Sequence, residues 1–334
     1  MTRILKFIFL FAGLGLLAWA MKSVDTVRAF ELLPNISYGF IYIVLVYALV
    51  NYFDTIAWNY SFKPEQAFRF NSFQLLRIRI IGEAYNIITP LGTMGGEPVK
   101  AQLLKDHHGL TFKQGLASLI ITRTTLLVGL ITFFIPGIIL IFQSETISEE
   151  LKYVSLTGMV VFTILIFLFF LFQVMGMLGV LASWAERVAP RLTGHAFMNQ
   201  LKTLDGLMST FYRESPDRVL KSIFYAFAGW VAGMGELYFA LYFLGYDPTL
   251  TELWIIEAVL QLIKVGSFYI PMSLGAQEGG LIVIFIALGL PGDMGLAVSF
   301  LRRMKDLVWV SLGLLLSWGL AFKPAKVQPD IPES

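Results

Sequence analysis

The chain of 334 residues contains no cysteine and only three histidines, and charged residues make up only 14% of it. The lack of cysteine excludes disulfide bonds, thiolate metal ligands and thiol nucleophiles. His107, His108 and His195 form no H-x-x-x-H pair, and the chain has no Walker loop, no Gly-x-Ser-x-Gly elbow and no dinucleotide-binding glycine fingerprint. The sequence therefore predicts no metal, no cofactor, no nucleic-acid partner and no recognisable catalytic motif.

The residues that are abundant are apolar. Hydrophobic residues make up 57% of the chain and occur in long runs, which indicates an integral membrane protein. At about 20 residues for each membrane segment, the length suffices for roughly seven or eight of them. We expect an all-α polytopic fold with six full spans and two re-entrant hairpins, in one membrane domain over residues 1–334. Residues 323–334 are expected to form a cytoplasmic tail.

Two glycine-rich polar stretches interrupt the apolar sequence. Residues 90–97 and 271–278 each begin with proline and end with glutamate. Irregular backbone within a bilayer survives only where protein or a water-filled cavity satisfies its polar groups, so such stretches are costly. We interpret them as the tips of the re-entrant hairpins, with Pro90 and Pro271 as the helix breaks.

A shift of 180 residues aligns the segments that follow the two stretches. It pairs Gly109 with Gly289, Gly115 with Gly295, and Arg123 with Arg303. Chance similarity of apolar helices explains matching leucines and alanines, but hardly the glycines and the arginine. The pattern favours repeat units of approximately 64–142 and 249–322. Three full spans are predicted between the hairpins, which makes the repeat inverted, as in alternating-access carriers.

The distribution of basic residues predicts the orientation. With a cytoplasmic N-terminus, 17 of the 25 Lys and Arg residues fall in inner segments and 3 in outer loops, which places both termini inside. Residues 4–21 form the first predicted span. A cleaved signal is the alternative there, because Ala18-Trp19-Ala20 resembles a signal-peptidase site.

Two further segments are amphipathic. Residues 65–79 are expected to form a helix at the inner interface, and residues 80–89, too short to cross a bilayer, one limb of the first re-entrant hairpin. Residues 184–218 have apolar side chains at helical spacing and favour a surface helix. These apolar positions are Phe197, Leu201, Leu204, Met208 and Phe211.

Arginines at matching depths are the main binding candidates. A guanidinium presents a planar fork of donors that suits phosphate, so Arg123 and Arg303 are predicted to hold an anionic lipid head group, with Arg302 beside them. The alternative is internal pairing, in which Arg302 and Arg303 both reach Asp306 along the same helix.

The glutamates and glycines of the loops complete the predicted site. Glu97 and Glu278 are candidates for a proton carrier or a displaceable counter-ion, or simply for helix first-turn roles. Glu236, within a span, is a weaker proton candidate and is more simply read as a hydrogen-bonded side chain. The loop positions expected at the head group, through backbone N–H groups or by permitting tight helix packing, are Gly92, Gly95, Gly96, Ser273, Gly275 and Gly279.

Three segments carry a family resemblance. Gly92-Thr-Met-Gly-Gly-Glu97-Pro-Val-Lys100, Ser273-Leu-Gly-Ala-Gln-Glu278-Gly-Gly280 and Ser299-Phe-Leu-Arg302-Arg303 resemble the signature segments of the lysylphosphatidylglycerol synthetase transmembrane-region family. These flippase-like proteins include stand-alone members linked to hopanoid synthesis. The resemblance implies lipid translocation across the bacterial inner membrane, and a homodimer. Without a soluble synthetase domain, aminoacyl transfer is not expected.

The sequence thus predicts a flippase that moves an anionic phospholipid or lipid-linked intermediate, and not an enzyme. Two alternatives stay open. One is an integral membrane enzyme that acts on a lipid-linked substrate, with Glu97 or Glu278 as acid or base. The other is a non-catalytic lipid-binding partner of a lipid-biosynthesis enzyme.

Overall fold

The computed structural model describes residues 26–88, 95–177, 179–180, 183, 195–267, 270 and 273–321. Over these residues the chain is helical, as predicted, with a short 3₁₀ turn at Leu33–Ile36. The helices are α1 (Thr26–Leu32), α2 (Gly39–Tyr60), α3 (Pro64–Ala67), α4 (Ser72–Ile88), α5 (Glu97–His108), α6 (Phe112–Gln143), α7 (Glu149–Val174), α8 (His195–Glu214), α9 (Pro216–Phe243), α10 (Leu250–Gly266), α11 (Ala276–Ala287) and α12 (Gly292–Ala321).

Four of the described helices, α2, α6, α7 and α9, are long and apolar enough to cross a membrane. The first predicted span, residues 4–21, lies outside the described residues. Helix α10 is 17 residues long, and α12, at 30 residues, carries Arg302, Arg303, Lys305 and Asp306 near its middle. Length and composition therefore identify membrane-crossing helices without establishing the six spans expected from the sequence.

The predicted division at residue 79 is wrong. Residues 72–88 form the single helix α4, which joins the expected interfacial segment to the expected hairpin limb. The helix begins where Asn71 and Gln74 cap it reciprocally: Gln74 N–H donates to Asn71 Oδ1, and Asn71 N–H donates to Gln74 Oε1, both at 2.9 Å. Such a capping box fixes a helix start more strongly than the mixed composition around residue 79 fixes a break.

Two helix pairs have the same construction. The first helix pair is α5 with α6 (residues 97–143), and the second is α11 with α12 (residues 276–321). Helices α5 and α11 are both 12 residues long. After each, the chain turns through a glycine with positive φ, 65° at Gly109 and 76° at Gly289. A residue with a side chain is strained in that conformation, which explains the glycine at both positions.

Small residues also bring the two helices of each pair together. A Cβ on Gly115 would lie 3.1 Å from Ala101 Cα, and a Cβ on Gly295 would lie 2.9 Å from the Leu281 carbonyl oxygen. Both contacts join the start of the long helix to the middle of the short one. The same offset of 180 residues relates Ala101 to Leu281 and Gly115 to Gly295.

The long helix of each pair packs on the helix that precedes the other pair. In α6, the ring of Phe133 stacks on Trp254 of α10, whose indole N–H donates to the Phe133 carbonyl at 2.9 Å. In α12, Gly313 lies against Ile80 and Ala84 of α4. Because each long helix packs on the helix that precedes the other pair, the two helix pairs share one core.

Helices α2 and α9 pack along each other beside this core. Ser222 Oγ donates to the Ala57 carbonyl at 2.9 Å, and Gly39 lies against the ring of Phe243 at the opposite ends of the helices. Helix α8 packs on α6 through Met208 and Phe211, which are buried. The apolar face predicted for residues 184–218 therefore faces the protein over the part of this segment that the structure describes.

Candidate functional site

The first helix pair is joined by an ion pair between Glu97 and Arg123. Glu97 is the first residue of α5, and its Oε1 atom accepts from Arg123 Nη2 at 2.7 Å and from Arg123 Nε at 3.2 Å. Glu97 is buried, whereas the Arg123 side chain is 42% exposed. The second carboxylate oxygen, Oε2, is buried and accepts no hydrogen bond from the part of the chain that the structure describes.

A second cation, Lys100, supports the same carboxylate. Lys100 Nζ lies 2.6 Å from Glu83 Oε1 and 3.3 Å from Glu97 Oε1, and the lysine side chain is buried. Two acids and two bases therefore balance in charge, with Arg123 also 4.0 Å from Glu83. A buried charge is tolerated only when paired in this way. We did not predict Glu83 or Lys100 from the sequence, although Lys100 lies three residues after Glu97 on the same helix.

Close backbone contact positions this ion-pair group. The Gly96 N–H donates to Asn86 Oδ1 at 2.7 Å, and a Cβ on Gly96 would overlap the Gly82 carbonyl oxygen. The aliphatic stem of Lys100 passes over Gly82, where a Cβ would overlap it. The glycines of this loop thus permit tight packing of α4 against α5, and the Gly96 amide is already used within the protein.

The second helix pair has the equivalent ion pair, between Glu278 and Arg303. Arg303 Nε donates to Glu278 Oε1 at 2.9 Å, and Arg303 Nη2 lies 2.8 Å from the same oxygen. The other oxygen of Glu278 accepts from the Gly275 N–H at 2.7 Å, which caps α11. Glu278 is buried, and the Arg303 side chain is 19% exposed. Glu278 therefore caps the first turn of α11 and also pairs with Arg303.

Arg302 points to a different set of partners. Its Nη2 donates to Glu257 Oε2 at 2.6 Å, and its Nε lies 3.5 Å from Glu236 Oε1. Lys305 completes this buried cluster with an Nζ–Oε2 distance of 2.9 Å to Glu236. The pairing of Arg302 and Arg303 with Asp306 along α12 is wrong, since the ion pair of Asp306 is with Lys305, at 3.3 Å. Acids on neighbouring helices reach the arginines instead.

The remaining predicted residues take several positions. Gly95 is buried next to Gly96, and Gly279 is half-buried in α11. Ser273 is half-buried and has a positive φ of 51° just before that helix. Pro90, Gly92 and Pro271 lie outside the described residues.

A narrow cleft of about 20 Å³ lies between α2, α4 and α12. Its polar lining comes from Tyr47 and Asn51 of α2, Glu83 of α4, and Asp306 and Trp309 of α12. The carboxylates of Glu83 and Asp306 therefore face this space, one from the helix that precedes the first helix pair and one from the second pair. Arg123 and Arg303, which are predicted to hold a lipid head group, do not line this cleft.

Over the described residues, the arrangement defines an all-helical membrane protein in which two 12-residue helices each carry a glutamate paired with an arginine of the next helix. The family model described as the lysylphosphatidylglycerol synthase TM region matches residues 3–313, so the chain belongs to this family, as its signature segments predicted. No curated protein and no solved structure gave a significant match.

Proposed function

We propose that the protein is a flippase that moves an anionic phospholipid or lipid-linked intermediate across the bacterial inner membrane. The observation that carries this proposal is the pair of Glu–Arg contacts, Glu97–Arg123 and Glu278–Arg303. Each glutamate is in the first turn of a 12-residue helix, and each arginine is on the long helix that follows.

In this proposal the lipid phosphate exchanges with the glutamate. A carboxylate occupies the same guanidinium fork that binds phosphate, so the exchange replaces one charge-assisted contact with another. Both arginines are partly exposed while both glutamates are buried, which lets a head group approach the arginine first. The displaced Glu97 keeps its contact with Lys100, and a displaced Glu278 keeps the Gly275 N–H.

This route reduces the main energetic barrier to transport. A charge left alone at the bilayer centre costs from about 3 to more than 10 kcal/mol, depending on the method. Handing the phosphate from one arginine to the other keeps it paired, while the acyl chains stay in hydrocarbon.

The topology in this proposal is an inverted repeat with six full spans, two re-entrant hairpins and both termini cytoplasmic. The shared construction of the helix pairs and their reciprocal packing on α4 and α10 support it. Inverted repeats let one half expose the site to each side in turn. Membrane lipids are the proposed ligands; lipid-biosynthesis enzymes and a second copy of the chain are the further proposed partners.

Transport in reconstituted vesicles tests this function. We would measure the flipping of a labelled anionic phospholipid for the wild type, Arg303→Lys, Arg303→Ala and Glu278→Gln. Arg303→Lys keeps the charge but loses the fork, so we expect at least about a tenfold slower rate, the value of one charge-assisted hydrogen bond. Arg213→Ala, which removes an exposed arginine at the end of α8, is the matched control and should flip at the wild-type rate.

The two alternative functions predict different results with the same purified protein. An enzyme would convert a lipid-linked substrate in detergent, where no membrane asymmetry exists. A non-catalytic lipid-binding partner would retain lipid but flip none. Either result, or wild-type flipping by Arg303→Ala and Glu278→Gln in folded protein, would remove the site assignment.

A further inference from the structure

A cluster of aromatic and basic side chains lies outside the proposed transport site, where α2 ends and α9 begins. The guanidinium carbon of Arg218 is 5.2 Å from the centre of the Tyr60 ring, and Lys221 Nζ is 5.7 Å from it. Tyr60 also stacks on Tyr225, with ring centroids 5.6 Å apart and planes 9° apart. The two cations are therefore held over a fixed aromatic platform.

The positions of Arg218 and Lys221 are electrostatically unfavourable for helix α9 by itself. Both lie in the first turns of α9, and the helix dipole favours acids rather than bases at an N-terminus. Arg218 is partly accounted for, since its Nη2 donates to the Asn59 carbonyl at 2.8 Å, at the end of α2. Its Nε is buried and has no hydrogen-bond acceptor among the described residues.

The Lys221 side chain contributes little to the stability of the fold. Its contact with Asp217 is 3.6 Å long, and both side chains are more than half exposed. An ion pair of that kind contributes close to nothing to folding. The nearby Glu214 is held by Lys63 at 2.7 Å, so its charge is already balanced. Asp217 and Glu65 are the other acids near the two cations, and the contact of Lys221 with Asp217 is long, so the two cations are only loosely paired.

An open hollow of about 350 Å³ lies beside these cations. It is lined by Tyr60, Leu220, Lys221, Phe224 and Tyr225. Leu220 and Phe224 are 68% and 63% exposed. Because α9 is one of the helices long and apolar enough to cross a membrane, these apolar side chains are placed to contact acyl chains. Basic groups beside exposed apolar groups match a phospholipid with an anionic head group.

We propose that this hollow is a binding site for an anionic phospholipid, which is held in place and not transported. The phosphate contacts Arg218 and Lys221, the Tyr60 hydroxyl lies near the head group, and Leu220 and Phe224 contact an acyl chain. Charge complementarity selects the occupant, since a zwitterionic lipid gains less from two cations. The inference does not depend on the proposed transport function.

Native mass spectrometry of the purified full chain tests the site. Delipidated protein would be titrated with phosphatidylglycerol, phosphatidylcholine or inorganic phosphate. We expect Arg218→Gln/Lys221→Gln to weaken phosphatidylglycerol retention about tenfold or more, since each basic residue near a membrane surface contributes several-fold to the binding of anionic lipid. Lys105→Gln/Lys113→Gln, with the same change in charge around the α5–α6 turn, is the matched control and should retain the lipid as the wild type does.

Each other outcome overturns the proposal. Unchanged phosphatidylglycerol retention in the double variant would show that the lipid binds elsewhere. Equal retention of phosphatidylcholine, or displacement of the lipid by inorganic phosphate alone, would contradict an anionic-lipid site. Loss of a dimer with unchanged lipid binding would assign the surface to a second copy of the chain. Should the double variant fail to fold, Lys221→Gln alone decides, because its side chain is exposed and its contacts with Asp217 and the Tyr60 ring are weak.

Discussion

The two helix pairs carry the same Glu–Arg contact in different surroundings. In the first pair, Glu97 is shared between Arg123 and Lys100, and the arginine is more exposed. In the second, Glu278 is shared between Arg303 and the backbone of Gly275, and the arginine is less exposed. The first glutamate can lose its arginine and keep a cation, whereas the second keeps only an amide dipole.

The neighbouring position differs even more. A shift of 180 residues relates Arg302 to Thr122. Thr122 is buried and donates to the Ser118 carbonyl of its own helix at 2.7 Å, while Arg302 joins α12 to Glu257 and Glu236 on two other helices. The second pair is therefore anchored by buried charge through Arg302, and the first by close backbone packing at Gly96 together with the Lys100–Glu83 ion pair. Similar local sequence has been stabilised in two different ways.

Removing the anchor of the second pair should have the largest effect. Arg302→Met leaves Glu257 buried without its cation, and breaking a buried ion pair from one side costs about 3–5 kcal/mol. We expect a corresponding fall in the free energy of unfolding, measured by denaturant titration in detergent micelles. The matched change in the first pair, Thr122→Val, should cost about 1 kcal/mol. Equal losses in both variants would mean that the pairs are anchored alike.

The second largest loss of stability is expected when a side chain is added at the close backbone contact of the first pair. Gly96→Ala places a Cβ against the Gly82 carbonyl, a backbone atom that moves only with α4, so we expect a loss of about 3 kcal/mol, at the upper end for overpacking. In the second pair, Gly280→Ala meets only the end of the Ile263 side chain, which can rotate, and should cost about 1 kcal/mol. The same titration measures both, and the reverse order would contradict this account.

The third expected loss of stability comes from removing Lys100, the second cation that contacts Glu97 in the first pair. Lys100→Met removes the charge shared by Glu83 and Glu97, but Arg123 still pairs with Glu97, and Glu83 is partly exposed. We expect a loss of about 2 kcal/mol. Lys105→Met, an exposed lysine on the same helix, is the control and should change stability by less than about 0.5 kcal/mol. A loss as small as the control's would show that Lys100 is dispensable.

The smallest difference in stability is expected between variants of the two arginines. Arg303→Ala leaves the buried Glu278 with one hydrogen bond and should cost about 2 kcal/mol. Arg123→Ala removes a more exposed arginine and leaves Lys100 on Glu97, so a loss of at most about 1 kcal/mol is expected. Thermal unfolding in detergent gives the order. A larger loss for Arg123→Ala would mean that Lys100 does not support Glu97.

Much of the helical layout was predictable, because apolar runs, glycines and prolines are local signals. The predicted all-α class agrees with the helices of the described residues. The start of α4 was missed, because it depends on a reciprocal side-chain cap at Asn71 that composition does not reveal. Glu97, Glu278, Arg123 and Arg303 were singled out from the sequence, but their pairing as two couples was not.

The sequence by itself determined that this chain is helical and apolar, and which few charges lie among its apolar helices, because hydrophobicity and backbone preference are properties of single residues and short windows. Only the tertiary structure decided which acid meets which base. Asp306 is the acid nearest in sequence to Arg302, yet Glu257 and Glu236 bind it, since the packing of α9, α10 and α12 brings their carboxylates closer. Distances between helices are set by the fit of whole surfaces, and that information is not contained in any one segment.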